Sequence, residues 1–329
     1  MPTLLVIGGT GFFGKSILDT FMRGGLEKWG IERVIAMSRN AESLRIEAPQ
    51  LISSDVELYS ADITTAKTLP AADIVIHAAA STDAARYLSR SLQEQQNIQA
   101  GTYNYCSLAK KYHPDSKILY VSSGAVYGKQ PKSMTNIPEE YIPDDLSELP
   151  DGKRDYAIAK RSAEKAVMGL GHEGLSVSIA RCFSFIGPWL PRDQHFAIGN
   201  FIEDSLQKRP IKVKAKKRVY RSYMYADDLV EWLITIAEYA NPTCPVFNVG
   251  SDQAIIIGDL AKLVAKEIGV EALVPEITDT AFDFYVPSIK KANQELGLML
   301  KYNLISAIRS TEKDIKTIIK FDSKDGYRP

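Results

Sequence analysis

Thr3-Leu4-Leu5-Val6-Ile7-Gly8-Gly9-Thr10-Gly11-Phe12-Phe13-Gly14 is the stretch on which the fold turns. Leu4–Ile7 has the apolar, β-branched character of a short buried strand. The glycines at 8, 11 and 14 follow it at once, and helical periodicity begins at Phe12 and runs to about Met22. Each glycine has a separate task in such a strand–turn–helix. Gly8 permits the tight turn, Gly11 lets a pyrophosphate approach the backbone, and Gly14 allows the helix to pack closely on the strand. The helix start then presents unpaired N–H groups and a favourable dipole to the phosphates. The expected ligand is a dinucleotide.

Outward from this motif, Arg33–Met37, Val56–Tyr59, Asp73–Ile76 and Ile118–Val121 are further short apolar runs, with a helical pattern over Gln95–Lys111. Short buried strands alternating with helices predict a parallel sheet covered on both faces, with ligands beyond the carboxyl ends of its strands. The 329 residues, 45% hydrophobic and 24% charged, allow one large α/β domain with an elaboration, or two intimately joined lobes. Lys+Arg and Asp+Glu both number 40, so no global field favours nucleic acid or an anionic membrane. No apolar run reaches membrane-spanning length, and the short strand at the start carries no leader signature. Cys106, Cys182 and Cys244 are odd in number and lack metal-type spacing. A reduced, cytoplasmic setting and no metal site are expected.

Two later segments carry chemistry. Tyr156-Ala-Ile-Ala-Lys160 places a phenol and an ammonium on one helix face, where the positive charge is expected to favour the phenolate. Upstream stands Ser122-Ser123-Gly124-Ala125-Val126-Tyr127-Gly128, at the end of the Ile118–Val121 strand. The second strand ends in Ser38-Arg39-Asn40 rather than in a carboxylate. A guanidinium and a hydroxyl there suit a 2′-phosphate, which favours NADP(H) over NAD(H). Asp62 either accepts from the adenine amino group or caps a turn.

In these motifs the chain resembles the extended short-chain dehydrogenases/reductases of the nucleotide-sugar epimerase, dehydratase and reductase group. Gly8, Gly11 and Gly14 match the family's glycine motif, and His77-Ala78-Ala79-Ala80 its H-x-A-A. Asn97 to Asn104 is similar to its N-V-x-G-T-x-N helix. The resemblance implies a Rossmann-type doubly wound parallel sheet with a smaller C-terminal α/β substrate lobe. Residues 1–173 would be mainly dinucleotide-binding, and 174–329 a substrate lobe interleaved with the last sheet elements. Ser123, Tyr156 and Lys160 would be the catalytic residues. The cofactor site would comprise Gly8, Thr10, Gly11, Phe12, Phe13, Gly14, Ser38, Arg39, Asp62, Ile63, Ala78, Ala79, Ala80, Asn97 and Ser122, together with Tyr156 and Lys160. Ser81, Ser123, Ser184, His195, Asn200 and Arg221 would meet a nucleotide-diphosphate sugar, Arg221 and Asn200 at its diphosphate. Serine stands at 184 where the family usually has asparagine, and Phe282-Asp283-Phe284-Tyr285 stands where an arginine is often found.

Three chemistries share this kit. A 4,6-dehydratase carries an Asp-Glu pair after its serine or threonine, and here Gly124-Ala125 stands there. A 4-epimerase returns its hydride to tightly held NAD, against which Ser38-Arg39 argues. A ketoreductase needs NADPH, a proton donor and a carbonyl polariser. The expectation is NADPH-dependent reduction of the C4 ketone of a nucleotide-linked 4-keto-6-deoxy (or dideoxy) hexose, as in deoxysugar and surface-polysaccharide biosynthesis. The 4-epimerase is the alternative; a non-catalytic dinucleotide sensor would tend to lose the Tyr–Lys pair. Family resemblance also implies a homodimer through the helices bearing Asn97 and Tyr156. His77 is expected to be a satisfied core histidine, His113 and His172 surface residues, and Cys106 buried packing. The Lys212–Arg218 run is expected to be a solvated turn, and Asp227 and Asp228 to begin a helix.

Overall fold

Alternate residues of the first strand enter different layers, which is how a strand buried on both faces must behave. In the computed structural model, which describes residues 2–80, 90–143, 145–192, 194 and 196–324, β1 (Thr3–Ile7) sends Leu4 and Val6 into one core and Leu5 and Ile7 into another. The chain continues through α1 (Phe12–Met22), β2 (Arg33–Ser38), the short α2 (Leu44–Glu47), β3 (Val56–Ser60) and β4 (Ile74–His77). Then come α3 (Ser91–Tyr112), β5 (Lys117–Ser123), α4 (Asp151–His172), β6 (Val177–Cys182) and the short β7 (Phe185–Ile186). The observed α3 is longer at both ends than the Gln95–Lys111 expectation.

The later elements interleave. After α5 (Ala197–Leu206), β8 (Ile211–Lys212), β9 (Arg218–Arg221) and β10 (Met224–Tyr225), α6 (Ala226–Glu238) leads to β11 (Val246–Val249). Beyond it lie β12 (Ile255–Ile256), α7 (Ile257–Ile268), β13 (Ala272–Leu273), β14 (Phe282–Tyr285), α8 (Lys290–Leu296) and α9 (Leu304–Lys324). The main sheet has the order β11-β6-β5-β4-β1-β2-β3 and is parallel throughout. It is the doubly wound Rossmann-type sheet expected. The order reverses between β1 and β4, the topological switch point where such sheets bind ligands.

One core layer holds α1 and α6, including the fully buried Trp232. The opposite layer holds α3 and α4, with Tyr105, Cys106, Ala159 and Ala163. A third cluster joins Ile186, Ile198, Phe201, Leu260 and Ile308, so α5, α7 and α9 build a lobe of their own. In that lobe β9 pairs parallel with β14, with Asp283 beside Val219 and Tyr285 beside Arg221. The outer edge of β11 is covered by side chains: Glu139 accepts from Asn248 N (2.8 Å) and Lys291 donates to Val246 O (2.9 Å). Such covering keeps an edge strand from pairing with another chain.

Asp227 and Asp228 stand in the first turn of α6, as expected; Asp228 also accepts from the N–H groups of Lys301 and Tyr302. The basic side chains of the Lys212–Arg218 run are exposed, while Val213 and Ala215 between them turn inward. His113 departs from expectation. It is fully buried, donates from Nε2 to Pro70 O (2.9 Å) and accepts at Nδ1 from Tyr105 Oη (3.4 Å), and burial lowers its basicity. Its place one residue after α3 turns it under the helix rather than outward. The three cysteines are free and buried. Among the described residues no helix is long and apolar enough to cross a membrane, and no group of acidic, His and Cys side chains could hold a metal ion.

Candidate active site

Gly8 sits at the switch point with φ +101°, a conformation that disfavours any side chain. A Cβ there would lie 2.9 Å from the Ala78 carbonyl group, so the turn is pressed against the end of β4. Both Gly8 N and Gly9 N donate to Met37 O (2.8 and 3.0 Å), which ties the loop to β2. A Cβ on Gly14 would lie 2.3 Å from Gly9 O, so α1 can approach the turn only with glycine at that position. Gly11 differs: its Cβ would meet only Gly8 O, at 3.4 Å. Gly11 caps α1 without a side chain, leaving the first N–H groups of the helix to a ligand. The rings of Phe12 and Phe13 turn to Phe185, 6.2 and 5.5 Å between centroids. Their side chains therefore fasten the loop to β7, and only their backbone remains for a phosphate.

At the end of β2 the Ser38 hydroxyl is enclosed and, among the described residues, has no hydrogen-bond partner, while Arg39 beside it is exposed. An orphaned buried hydroxyl next to a free guanidinium is the pattern expected of a place that a polar ligand completes. Asp62 caps its own turn, with Oδ1 accepting from both Thr64 N and Thr64 Oγ1 at 2.8 Å. Ile63 is buried against Gly101 of α3, and Asn104 donates to the carbonyls of Ile63 (2.8 Å) and Ala66 (2.9 Å). Ala78, Ala79 and Ala80 continue β4 along the same rim. Asn97 is exposed on α3, accepting from Gln93 (3.1 Å). The residues present therefore fit a dinucleotide along Gly8–Gly14, Ser38, Arg39 and Ala78–Ala80.

Ser123 ends β5 and Tyr156 rises from α4 beside it, their side chains hydrogen-bonded. Ser123 Oγ accepts from Ala125 N (3.2 Å). Although the Tyr156 ring keeps some exposure, its phenol is enclosed. Burial pushes it up to about 12, with the Ser123 hydrogen bond opposing and Cys182 adding a little. The expected depression by Lys160 is not seen; the Ser123 hydrogen bond is what lowers the phenol. The Lys160 ammonium donates to Val121 O (2.8 Å) and Tyr120 Oη (3.3 Å), 6.0 Å from the Tyr156 ring centroid. Burial also brings Lys160 down to about 8, with Cys182 and Glu164 opposing.

His77 is buried as expected; among the described residues no side chain meets its ring nitrogens, and its own backbone and that of Gly101 are the polar groups beside the imidazole. It packs edge-on to Tyr105 (5.1 Å), and burial, then the Lys160 charge, lowers it to about 4. The Ser122 hydroxyl turns away from the cofactor rim and donates to Glu164 (2.5 Å). Glu164 in turn holds Arg181 through two bonds of 3.0 and 2.9 Å. Arg181 continues to Tyr127 Oη and Glu139 O. Sequence reasoning gave Glu164 no role, although it lies one turn beyond Lys160 on the same face.

On the substrate side, Arg221 is committed to Asp283 by two contacts of 3.2 Å. Asn200 donates to Gln194 O (2.7 Å), and Ser184 is half-buried just after β6. Ser81 and His195 lie outside the described residues. Tyr285 and Phe183, absent from the sequence expectations, close the slot beside Ser123. Tyr285 Oη is 3.4 Å from Ser123 Oγ, its ring is 4.7 Å from that of Phe183, and a Cβ on Gly124 would meet both at 2.7–2.8 Å. Strand alternation in Phe282–Tyr285, which puts Asp283 and Tyr285 on one face, was the available signal.

A family model described as NAD dependent epimerase/dehydratase family matches residues 4–250. The chain belongs to that family. Among relatives of this family, UDP-glucuronic acid decarboxylase 1 of Arabidopsis thaliana is 26% identical, over 96% of this chain and 70% of its own length. UDP-glucuronic acid decarboxylase 3 of the same plant is 28% identical, over 95% of this chain and 89% of its own. The fold matches a UDP-glucose 4-epimerase from Thermotoga maritima solved with UDP-glucose, at TM-score 0.77 and 21% identity, covering 96% of this chain and 99% of that one. It also matches a dTDP-glucose 4,6-dehydratase from Streptomyces venezuelae, solved with NAD and TYD bound, at TM-score 0.77 and 18% identity, over 97% and 98%.

Proposed function

We propose that this protein reduces the C4 ketone of a nucleotide-linked 4-keto-6-deoxy (or dideoxy) hexose, using NADPH. The observation that carries the choice of cofactor, and with it of direction, is the end of β2. There an unpartnered, enclosed Ser38 hydroxyl stands beside the exposed Arg39, with no carboxylate to repel a 2′-phosphate. The bound cofactor supplies a hydride to the carbonyl carbon. Tyr156, raised to about 12, is protonated at neutral pH and gives its proton to the oxygen as charge develops. Ser123 donates toward the same oxygen. Lys160 backs the pair from the protein side, held by Val121 O. Elimination of water lacks its agents, because Phe183 and Tyr285 fill the space a side chain at Gly124 would need.

Mixing the protein with NADPH and a nucleotide-linked 4-keto-6-deoxyhexose should consume nicotinamide absorbance one-for-one with the sugar. Tyr156→Phe should abolish turnover and keep NADPH binding. NADPH that survives intact across a panel of such sugars refutes the reading. A second reading has C4 oxidised and reduced again within one cycle, with no net change in cofactor. The similarity to UDP-glucuronic acid decarboxylases over most of the chain favours it. In that case a UDP-sugar would be converted with catalytic NAD and no lasting absorbance change. We further propose a homodimer through α3 and α4, which leave Leu92, Tyr103 and Ile158 exposed.

A further inference from the structure

The side chains around Ser123 leave one hydroxyl of the cluster without a task. Ser123 Oγ has one proton and two lone pairs. Ala125 N–H fills one lone pair (3.2 Å). Tyr285 reaches the same oxygen at 3.4 Å from β14, a strand of the other lobe. Its ring is fixed by Phe183 at 4.7 Å and by the Arg221 guanidinium at 5.8 Å. We infer that Tyr285 is a positioning residue that donates to the second lone pair of Ser123, so that the serine's only proton faces Tyr156 and the reacting oxygen.

The alternative acceptor for Tyr285 is Cys182 O, at 3.5 Å. With the phenol turned there, the Tyr285 oxygen would accept the serine proton and draw it out of the site. The two rotor states therefore differ in whether Ser123 can act. Bonds of this length in an open site shorten when a ligand closes it. A serine that donates to Tyr156 stabilises the phenolate, so loss of the Tyr285 hydroxyl makes Tyr156 harder to ionise. The groups that face Tyr156 are Ser123 and Tyr120 from β5, Cys182 from β6, Lys160 from its own helix and Tyr285 from β14. Arg221 and Cys182 also face Tyr285. Tyr285→Phe leaves all the others in place and keeps the ring.

This inference rests on the roles proposed above for Ser123 and Tyr156. Wild type, Tyr156→Phe and Tyr285→Phe are compared under the same conditions. For Tyr285→Phe, kcat should fall about three- to tenfold, as for one lost hydrogen bond, with KM and NADPH affinity unchanged. The kinetic pKa belonging to Tyr156 should rise by roughly half to one unit. Because the phenol is the titrating group in either direction of hydride transfer, the shift is expected whichever way the reaction runs. A second measurement needs no substrate: the ultraviolet phenolate titration of Tyr156, taken as the difference from Tyr156→Phe in each background, should move the same way. If Tyr156→Phe is inactive but Tyr285→Phe matches wild type in kcat and in both titrations, the inference is overturned. If Tyr156→Phe keeps turnover, the underlying catalytic reading fails instead.

Discussion

Removing one charge from the pair behind β5 should be the most damaging conservative change in this protein. Arg181 and Glu164 are each only 6% exposed and meet through two hydrogen bonds. Glu164 also accepts from Ser122, and Arg181 stands directly beside Ser122 in the sheet. Glu164→Gln keeps the shape and leaves the guanidinium buried without its counter-charge. Breaking a buried pair in this way costs about 3–5 kcal/mol. Arg181 keeps Tyr127 and Glu139 O as acceptors, so the lower end applies. At an unfolding entropy of ~2 cal/mol/K per residue, 329 residues give about 0.7 kcal/mol/K. A loss of about 3 kcal/mol should then lower Tm by roughly 4 °C. Glu164→Gln combined with Arg181→Met removes both charges and should recover most of that loss, giving a coupling of about 2 kcal/mol in a double-mutant cycle. Calorimetry of the four proteins is the assay. A single variant that melts within about 1 °C of wild type, or a double variant as unstable as the summed singles, refutes the reasoning.

The glycine loop gives a second test: Gly14→Ala drives a Cβ into backbone at 2.3 Å and should cost about 1–3 kcal/mol, with weaker dinucleotide binding by fluorescence titration. Arg39→Asp should lower the preference for NADPH over NADH, measured as the ratio of kcat/KM values, about ten- to a hundredfold, the worth of a charge-assisted contact. Asp283→Asn weakens the hold on Arg221 and should tighten nucleoside-diphosphate binding a few-fold by calorimetric titration; unchanged affinity would separate Arg221 from the diphosphate. Lys160 titrates near 8 in the folded protein against 10.5 when free. Between those values the unfolded chain binds more protons, so wild type should gain stability relative to Lys160→Met as pH rises from about 8 to about 10, by on the order of 3 kcal/mol at most. Denaturant midpoints across that range give the check.

The sequence alone determined the chain's architecture and its proposed acting groups. Local signals carry both: the unbroken apolar run of β1, the spacing of Gly8, Gly11 and Gly14, and the one-turn spacing of Tyr156 and Lys160. What only the tertiary structure decided is how those groups are biased. Spacing placed an ammonium near a phenol, but burial decides both groups, raising Tyr156 and lowering Lys160. Arg221 was legible as a cation, whereas its pairing with Asp283 depends on β9 and β14 lying side by side across 62 positions of chain. The contact of Tyr285 with Ser123 spans 162 positions. His113 reads as a surface residue in the sequence, but the Pro70 carbonyl and the Tyr105 phenol, 43 and 8 positions away, enclose it. Glycine spacing and strand patterns are written in neighbouring residues. Solvent exclusion and partner choice are fixed only when distant elements pack together, and they set the charge state of this site.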